Sequence, residues 1–347
     1  MPTVSSGKIL VTGINGFTAM WVARYLLEHG YSVRGTVRSA AKAVHPRGYF
    51  KSYGAQIEVI VVEDITKACA FDEAVKDVDG IFHAAASFHL HAEEPSELIT
   101  PAVEGTVGIL HSALKHGNKV KRVIQMSSIA AIEDLEAKSP TIFSEKDWNY
   151  RSVEACKKLG RDASPLDMYE ASKTLSEAAA WDFMKDNKST VKFDLVALNP
   201  GFLMGTGLQE VDDPMKLNTS LQLFYLGVPM GQFEGEMLTK PSVSWIDMRD
   251  FCDAVVASYR VEKAGGERFI VAAEPFCWQD WINVVRNFDS TVPAGNTKWK
   301  REDSVYNVNF DTAKVRQILG ITYRGWEDSA RVVMEYYREK GWWGKKQ

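Results

Sequence analysis

The chain has 347 residues, of which 45% are hydrophobic and 25% charged, and its formal net charge is −4. This is the composition of an average soluble globular protein with a large core, and a weakly acidic surface argues against nucleic acid or an anionic membrane as partner. The four cysteines are widely spaced and predict buried thiols rather than a metal or redox pair. We expect a cytosolic protein, because the first residues lack an apolar signal core and no apolar run could span a bilayer.

The N-terminal segment predicts a strand, a glycine turn and a helix. Residues 8–12 form a short apolar run with branched side chains, which is typical of a buried strand. Gly13 and Gly16 follow, and apolar spacing then predicts a helix over 17–29 that ends at Gly30. In this context the two glycines let the backbone approach a pyrophosphate, which would sit at the helix N-terminus. The alternative is an ordinary strand-to-helix turn that needs glycine only for its positive φ angles.

Strands and helices alternate over the next 170 residues or so. We predict strands at 31–37, 57–62, 80–86, 120–126 and 193–198, helices at 69–78, 104–116 and 169–185, and an irregular segment from about 127 to 166. This alternation predicts an α/β fold with a Rossmann-type, doubly wound parallel sheet and right-handed crossovers.

The pattern loosens after residue 200, and strands reappear at 243–246 and 269–272. We therefore expect a dinucleotide-binding domain over 1–200 with returning segments at about 242–272. A smaller C-terminal substrate-binding lobe would comprise 201–241 and 273–347. Asp247 is expected to cap the helix that follows it.

Ligands of such sheets bind beyond the carboxyl ends of the strands. The segments predicted at that edge are Gly13–Ala19, Arg38, Asp64, Ala84–Phe88, Ser127–Ser128 and Asn199–Phe202.

The residue after the second strand indicates which dinucleotide binds. NAD-preferring sites usually carry an acidic side chain there, but this chain has Arg38, with Lys42 four residues later. A guanidinium can bind a 2′-phosphate through two hydrogen bonds, so we expect NADPH rather than NADH. The alternative is that both cations are solvated surface charges. Asp64 suits a hydrogen bond to the adenine amino group, and a capping role is the alternative.

A tyrosine and a lysine four residues apart indicate the chemistry. Tyr169 and Lys173 share one face of the predicted helix, so both project into one cleft. A nearby Lys⁺ and a positively charged nicotinamide are expected to lower the pKa of the Tyr169 phenol. Ser128, at the end of the fifth strand, could polarise the same carbonyl oxygen. Together these groups suit hydride delivery to a carbonyl, because the alkoxide that forms must be protonated.

The combined motifs resemble the extended short-chain dehydrogenases/reductases; they are TGINGFTA, Asp64-Ile65, FHAAA, MSS, YEASK and NPG. Within that family GTVRS, PAVEGTVGILHSALKHG, FSEKDWN and WIDMRD are similar to the dihydroflavonol-reductase-like group, whose fungal NADPH-dependent aldehyde, ketone and methylglyoxal reductases the chain resembles most. The similarity runs from about Lys8 to about Tyr336. Where the family often has a third glycine or alanine in the turn, this chain has Ala19, which still permits close helix packing.

The resemblance implies a catalytic set of Ser128, Tyr169 and Lys173, in which Tyr169 is the acid in reduction and Lys173 also holds the nicotinamide ribose. It implies that residues 200–202 lie beside the nicotinamide ring. The full set of expected cofactor-binding residues is Thr12, Gly13, Asn15, Gly16, Phe17, Thr18, Arg38, Lys42, Asp64, Ile65, Ala84, Ala85, Ala86, Ser127, Tyr169, Lys173, Pro200, Gly201 and Phe202. The expected carbonyl pocket is apolar and is formed by Phe88, Ile129 and Phe202 around Ser128 and Tyr169.

We expect a small-molecule carbonyl substrate, no metal, and a monomer or homodimer. A metal site at His89 and His91 is the weaker alternative to substrate contact at the cleft rim, and His83 is expected in the core. Two other functions stay open at this point. One is a nucleotide-sugar epimerase or dehydratase, which retains a tightly bound NAD, and the other is a non-catalytic NADP(H)-binding regulator.

Overall fold

The computed structural model describes residues 2–85 and 92–344. The strands of this part are β1 (Lys8–Val11), β2 (Ser32–Val37), β3 (Ile57–Val61), β4 (Gly80–His83), β5 (Arg122–Met126), β6 (Thr141–Phe143), β7 (Asp194–Pro200), β8 (Phe202–Met204), β9 (Trp245–Asp247), β10 (Arg268–Val271) and β11 (Val308–Phe310). The α-helices are α1 (Phe17–Glu28), α2 (Ala40–Tyr49), α3 (Ser96–His116), α4 (Tyr150–Leu159), α5 (Pro165–Asp186), α6 (Thr219–Gly227), α7 (Glu236–Thr239), α8 (Met248–Arg260), α9 (Trp278–Arg286), α10 (Ala313–Leu319) and α11 (Trp326–Glu339).

Seven parallel strands form the central sheet in the order β10-β7-β5-β4-β1-β2-β3. The chain winds outward from β1 to β3, then crosses back to β4 and winds the other way. The strand order therefore reverses between β1 and β4, and ligands of doubly wound sheets bind in the crevice at this point. The predicted Rossmann-type parallel sheet is confirmed.

Helices cover both faces of the sheet. On β1, Ile9 and Val11 point into the core beneath α1 and α8, whereas Leu10 points into the core beneath α3 and α5. This alternation is the two-residue period of a strand buried on both faces. It explains why the strands read as continuous apolar runs.

A separate aromatic cluster lies between α6, α9 and α11. Phe224, Trp245, Trp281 and Tyr337 are fully buried in it. Val315 of α10 is buried in the sheet core under α8, and the expected division into a domain and a C-terminal lobe stays a prediction. Two small parallel pairs, β8 with β9 and β6 with β11, complete the fold.

The chain between β3 and β4 differs from the prediction. We expected a helix over 69–78, but the chain forms successive turns there, and Cys69 and Asp77 have φ angles of +66° and +57°. A left-handed residue at each end of the segment does not continue a right-handed helix. Cys69 is also exposed, whereas we expected all four thiols to be buried.

The segment expected to be irregular contains a helix, α4. The side chain of Asn149 caps it by accepting the N–H of Ser152, and Val153 and Cys156 are buried on its inner face. Other predicted elements lie within a few residues of their observed bounds, except that α3 begins at Ser96 and includes Pro101. Asp247 caps α8 as expected, since its carboxylate accepts the N–H of Arg249 at 2.8 Å. None of the helices in the described residues is long and apolar enough to span a membrane.

Candidate active site

The turn between β1 and α1 has the geometry of a pyrophosphate site. Gly13 has a φ of +67°, which favours glycine, and its N–H donates to the Thr36 hydroxyl at 3.2 Å. The N–H of Gly16 donates to the carbonyl of Gly13 at 2.9 Å and closes the turn. No side chain caps α1 and no acidic residue lies in its first turn. The free N–H groups at the N-terminus of this helix are therefore available to an anionic ligand in the crevice. The neighbouring residues Asn15 and Phe17 are half-buried, and Thr18 is buried.

Arg38 directly follows β2, and its side chain is exposed. Lys42 is exposed in the first turn of α2, whose N-cap residue Ser39 makes no capping hydrogen bond with its side chain. Within residues 2–85 and 92–344 neither cation forms an ion pair. Two exposed cations and a helix N-terminus at one strand end suit an anionic group.

Asp64 closes a local turn after β3. Its carboxylate accepts the N–H of Thr66 at 2.9 Å and the Thr66 hydroxyl at 2.6 Å. These hydrogen bonds hold the pKa of Asp64 below its usual value. No helix begins at Asp64 in the described residues, so these bonds close a local turn, and contact with adenine stays a prediction. Ile65 packs against Gly105 of α3, where a β-carbon would come within 2.9 Å of its side chain.

Thr12 fixes the end of β4. Its buried hydroxyl oxygen accepts the N–H groups of Ala84 at 3.0 Å and Ala85 at 2.9 Å. The backbone after β4 is thereby held beside the glycine turn. Ala86, Phe88, His89 and His91 lie outside the described residues, so their predicted roles stay predictions.

The structure brings Ser128 and Tyr169 together. The Ser128 hydroxyl forms a hydrogen bond with the Tyr169 phenol, which tends to lower the pKa of that phenol. Burial has the larger effect and raises the pKa of Tyr169 to about 12, and the nearby carboxyls of Glu133 and Glu170 act in the same direction. The protein itself therefore raises the pKa of Tyr169, whereas we expected it to be lowered. The sequence does not show how deeply the phenol is enclosed.

Lys173 lies one turn after Tyr169 on α5. The hydroxyl of Ser164 caps this helix by accepting the N–H of Asp167, and Pro165 occupies the first helical position. The ammonium of Lys173 approaches the carbonyl of Met126, at the end of β5, at 3.4 Å. Burial lowers the pKa of Lys173 to about 8, and the charge of Glu177 opposes that shift. Lys173 is therefore mostly protonated at neutral pH.

The adjacent serines point in different directions. Ser127 is buried, and its hydroxyl donates to the Glu177 carboxylate at 2.5 Å. Its hydroxyl proton is thus directed into the protein, and its predicted cofactor contact stays a prediction. Sequence analysis missed Glu177, although a carboxylate four residues after Lys173 on the same helix face is a readable signal.

Residues 200–202 lie where β7 passes into β8. Gly201 is required there, because a β-carbon would lie 2.5 Å from the carbonyl oxygen of Ser244. Phe202 is half-buried and packs against Phe276 and Trp278, with ring centroids 5.5 and 5.9 Å away. This turn joins the sheet edge to the aromatic cluster.

Ile129 occupies a different environment from the expected pocket wall. It is 3% exposed and packs with Ile270 and Ala272 of the β10 segment. Its contact with a substrate stays a prediction. Among the residues that the structure describes, no three His, Cys, Asp or Glu side chains are grouped as a metal site.

Comparison with known proteins agrees with this fold and motif set. The model of the NAD dependent epimerase/dehydratase family matches residues 9–272. An NADPH-dependent methylglyoxal reductase of Saccharomyces cerevisiae is 30% identical over 345 residues, covering 95% of this chain and 98% of the relative. A putative NADPH-dependent methylglyoxal reductase of Candida albicans is 32% identical, covering 92% and 95%.

The structural comparison gives the same relationship. The crystal structure of the yeast methylglyoxal/isovaleraldehyde reductase complexed with NADPH superposes with a TM-score of 0.85 at 29% identity. The match covers 96% of this chain and 99% of the yeast chain. The chain belongs to the NAD-dependent epimerase/dehydratase family, the extended short-chain dehydrogenases/reductases.

Proposed function

We propose that this protein is an NADPH-dependent carbonyl reductase that converts aldehydes and ketones to alcohols. The observation that carries the proposal is the hydrogen bond between Ser128 and Tyr169, with Lys173 one helical turn away at the carboxyl edge of the sheet. The NADPH-dependent reductases that resemble this chain along nearly its whole length support the same reaction.

The residues at the sheet edge fit NADPH. The uncapped N-terminus of α1 and the left-handed Gly13 suit its pyrophosphate, and Arg38 with Lys42 suits its 2′-phosphate. The strand end at Ala84 and Ala85, the segment 200–202 and Lys173 would hold the rest of the cofactor. When bound, NADPH supplies the hydride.

The protein supplies the proton and orients the carbonyl. Tyr169 stays protonated at neutral pH because burial raises its pKa to about 12, so it can donate its proton to the carbonyl oxygen. Ser128 donates a hydrogen bond to the same oxygen as negative charge develops there. The π bond of the carbonyl is replaced by a C–H bond, made with the hydride that NADPH would supply, and by an O–H bond, made with the Tyr169 proton, while the C–O single bond remains. A solvent proton then restores Tyr169. Lys173 carries the positive charge that stabilises the transient phenolate.

Two alternatives are less consistent with the site. An epimerase or dehydratase that retains NAD has no use for the exposed Arg38 at the strand end. A non-catalytic regulator has no use for the tyrosine–lysine pair and the Ser128 hydrogen bond. Within the reductase proposal, we assign the protein to the cytosol as a monomer or homodimer, with an apolar pocket near Phe202.

The test is a screen of NADPH oxidation over aldehydes, diketones, β-keto esters and flavanonols. We expect turnover with at least one class, and Tyr169→Phe should abolish it while the Kd for NADPH stays within a few-fold. NADPH binding without oxidation by any carbonyl would favour the regulator. Bound NAD⁺ that survives gel filtration would favour the epimerase or dehydratase, and full activity of Tyr169→Phe would refute the assigned acid.

A further inference from the structure

A buried carboxylate lies on the same face of α5 as Tyr169 and Lys173. Glu177 follows Lys173 by four residues and Tyr169 by eight, so all three lie along one face of α5. Its side chain is fully buried. Burial of a carboxylate is costly unless hydrogen bonds and an opposite charge compensate it, so its partners are informative.

Four side chains donate to Glu177, and three of them come from neighbouring strands of the sheet. Two of these lie at the carboxyl ends that form the site, and one lies at the beginning of β10. On one carboxylate oxygen, the Ser127 hydroxyl after β5 donates at 2.5 Å and the Asn199 amide of β7 at 2.8 Å. On the other oxygen, Arg268 of β10 donates at 2.6 Å and Trp181 of α5 at 3.2 Å. The carboxylate thus joins α5 to three neighbouring strands.

The same network reaches the backbone of the catalytic serine. The Asn199 amide group that donates to Glu177 also donates to the carbonyl of Ser128 at 3.0 Å. The residue before Ser128 is itself bonded to Glu177. Glu177 therefore fixes the backbone of Ser128 in two ways, through the neighbouring Ser127 and through Asn199. Both contacts hold Ser128 in position relative to Tyr169.

Glu177 also acts on Lys173 by its charge. Burial alone would lower the pKa of Lys173 further than about 8, and the negative charge of Glu177 opposes this shift. Among the residues that the structure describes, Tyr169 on α5 and His83 on β4 are the other titratable groups around Lys173. Burial lowers the pKa of His83 to about 3 and raises that of Tyr169 to about 12, so both are neutral at pH 7. Arg268 of β10 lies behind Glu177 and pairs with it.

We propose that Glu177 is a positioning residue for the reduction, an inference that rests on the proposed function. Its hydrogen bonds hold Ser128 against Tyr169, and its negative charge lies one helical turn from the Lys173 ammonium and stabilises it. Glu177 contacts neither reacting atom in this arrangement. It acts through Asn199, Ser127 and Lys173.

The chain offers a matched control in the same sheet. Arg122 of β5 and Asp194 of β7 form a second buried arginine–carboxylate pair, with a distance of 2.6 Å from Nε to Oδ1. These residues face each other at the first positions of β5 and β7, whereas Ser127 and Asn199 lie at the carboxyl ends of the same two strands. Asp194→Asn therefore breaks a similar pair away from the site.

The experiment compares Glu177→Gln, Asp194→Asn and the double variant Glu177→Gln/Arg268→Gln, which leaves no buried arginine unpaired. The pKa of Lys173 is measured by its ¹³Cε chemical shift in protein with ¹³C-labelled lysine, assigned with Lys173→Arg. The pH profile of kcat/KM and the unfolding midpoint in urea are measured in parallel.

We expect Glu177→Gln and the double variant to lower the pKa of Lys173 by about one unit or more. The upper limit of the kcat/KM profile should move to lower pH by the same amount. Asp194→Asn should lower the unfolding midpoint and leave both quantities unchanged. The double variant should recover stability without recovering the pH profile.

An unchanged Lys173 pKa and pH profile in both Glu177 variants, with only stability lost, would overturn the proposal. The same shifts in Asp194→Asn would overturn it too, because they would report general loosening. Failure of the wild-type protein to reduce any carbonyl would refute the proposed function instead, and the ¹³C titration, which needs no substrate, would still decide the electrostatic role.

Discussion

The hydroxyl of Thr12 lies 3.0 Å from Nδ1 of His83, between β1 and β4. The Thr12 oxygen already accepts two backbone N–H groups, from Ala84 and Ala85. Since its two lone pairs are occupied, the hydroxyl donates its proton to Nδ1, and the neutral imidazole carries its own proton on Nε2. One buried threonine thus fixes both the tautomer of His83 and the backbone after β4.

Thr12→Val tests this anchor, with Thr12→Ser as its control. Valine keeps the shape but leaves two N–H groups and one imidazole nitrogen without their partner. We expect a loss of about 1–3 kcal/mol in the free energy of unfolding, from urea denaturation, and a higher Kd for NADPH by fluorescence titration. Serine keeps the hydroxyl and should stay closer to wild type. Equal behaviour of the two variants would show that the methyl group, not the hydroxyl, stabilises this strand end.

His83 predicts acid sensitivity. Burial and the charge of Lys173 lower the pKa of His83 to about 3 in the folded state, against an ordinary value near 6.5 when unfolded. Between these values the unfolded chain binds the extra proton, so the folded state loses stability as the pH falls below about 6.5. Relative to His83→Gln, the wild type should lose roughly 1.4 kcal/mol per pH unit in that range. Parallel curves of unfolding free energy against pH for the two proteins would contradict the buried, neutral imidazole.

The strand–turn–helix at the N-terminus was predictable because its signals are local. Residues 8–11 and 17–28 carry their own periodicity, and the glycines mark the turn between them. Residues 69–78 have a helix-like composition, but left-handed Cys69 and Asp77 break the segment, and the Asp72 side chain bonds to Ser112 of α3. That tertiary contact leaves no trace in the local pattern. The segment was therefore assigned wrongly.

The site shows the same division. The common helix face of Tyr169 and Lys173 could be predicted, because residues four apart lie one helical turn from each other. The position of Ser128 could be predicted because it follows a recognisable strand. The raised pKa of Tyr169 was not readable, because it results from enclosure by elements distant in the chain. The hydrogen-bond partners of Glu177 could not be predicted, because they come from β5, β7 and β10, which become neighbours only in the folded sheet.

The serine pair offers a direct comparison of two adjacent hydroxyls. Ser128→Ala removes the hydrogen bond to Tyr169, and we expect kcat to fall by about 100-fold or more, as for loss of an oxyanion donor. Ser127→Ala removes one of four donors to Glu177 and should lower the unfolding free energy by about 1 kcal/mol with a smaller effect on kcat. Steady-state kinetics and urea denaturation of both variants check this. A larger loss of kcat in Ser127→Ala would reverse the assignment of the catalytic serine.

Arg38 tests the choice of cofactor without disturbing the fold. Its side chain is exposed and forms no ion pair within the described ranges, so Arg38→Ala should leave the melting temperature unchanged. Loss of a charge-assisted hydrogen bond to a 2′-phosphate should raise the Kd for NADPH about tenfold or more, whereas the Kd for NADH should barely change. Lys51→Ala, at an exposed lysine beyond α2, is the control for general loss of positive charge. Because NADPH and NADH differ only in that phosphate, equal weakening of both cofactors would show that Arg38 contacts a group that they share.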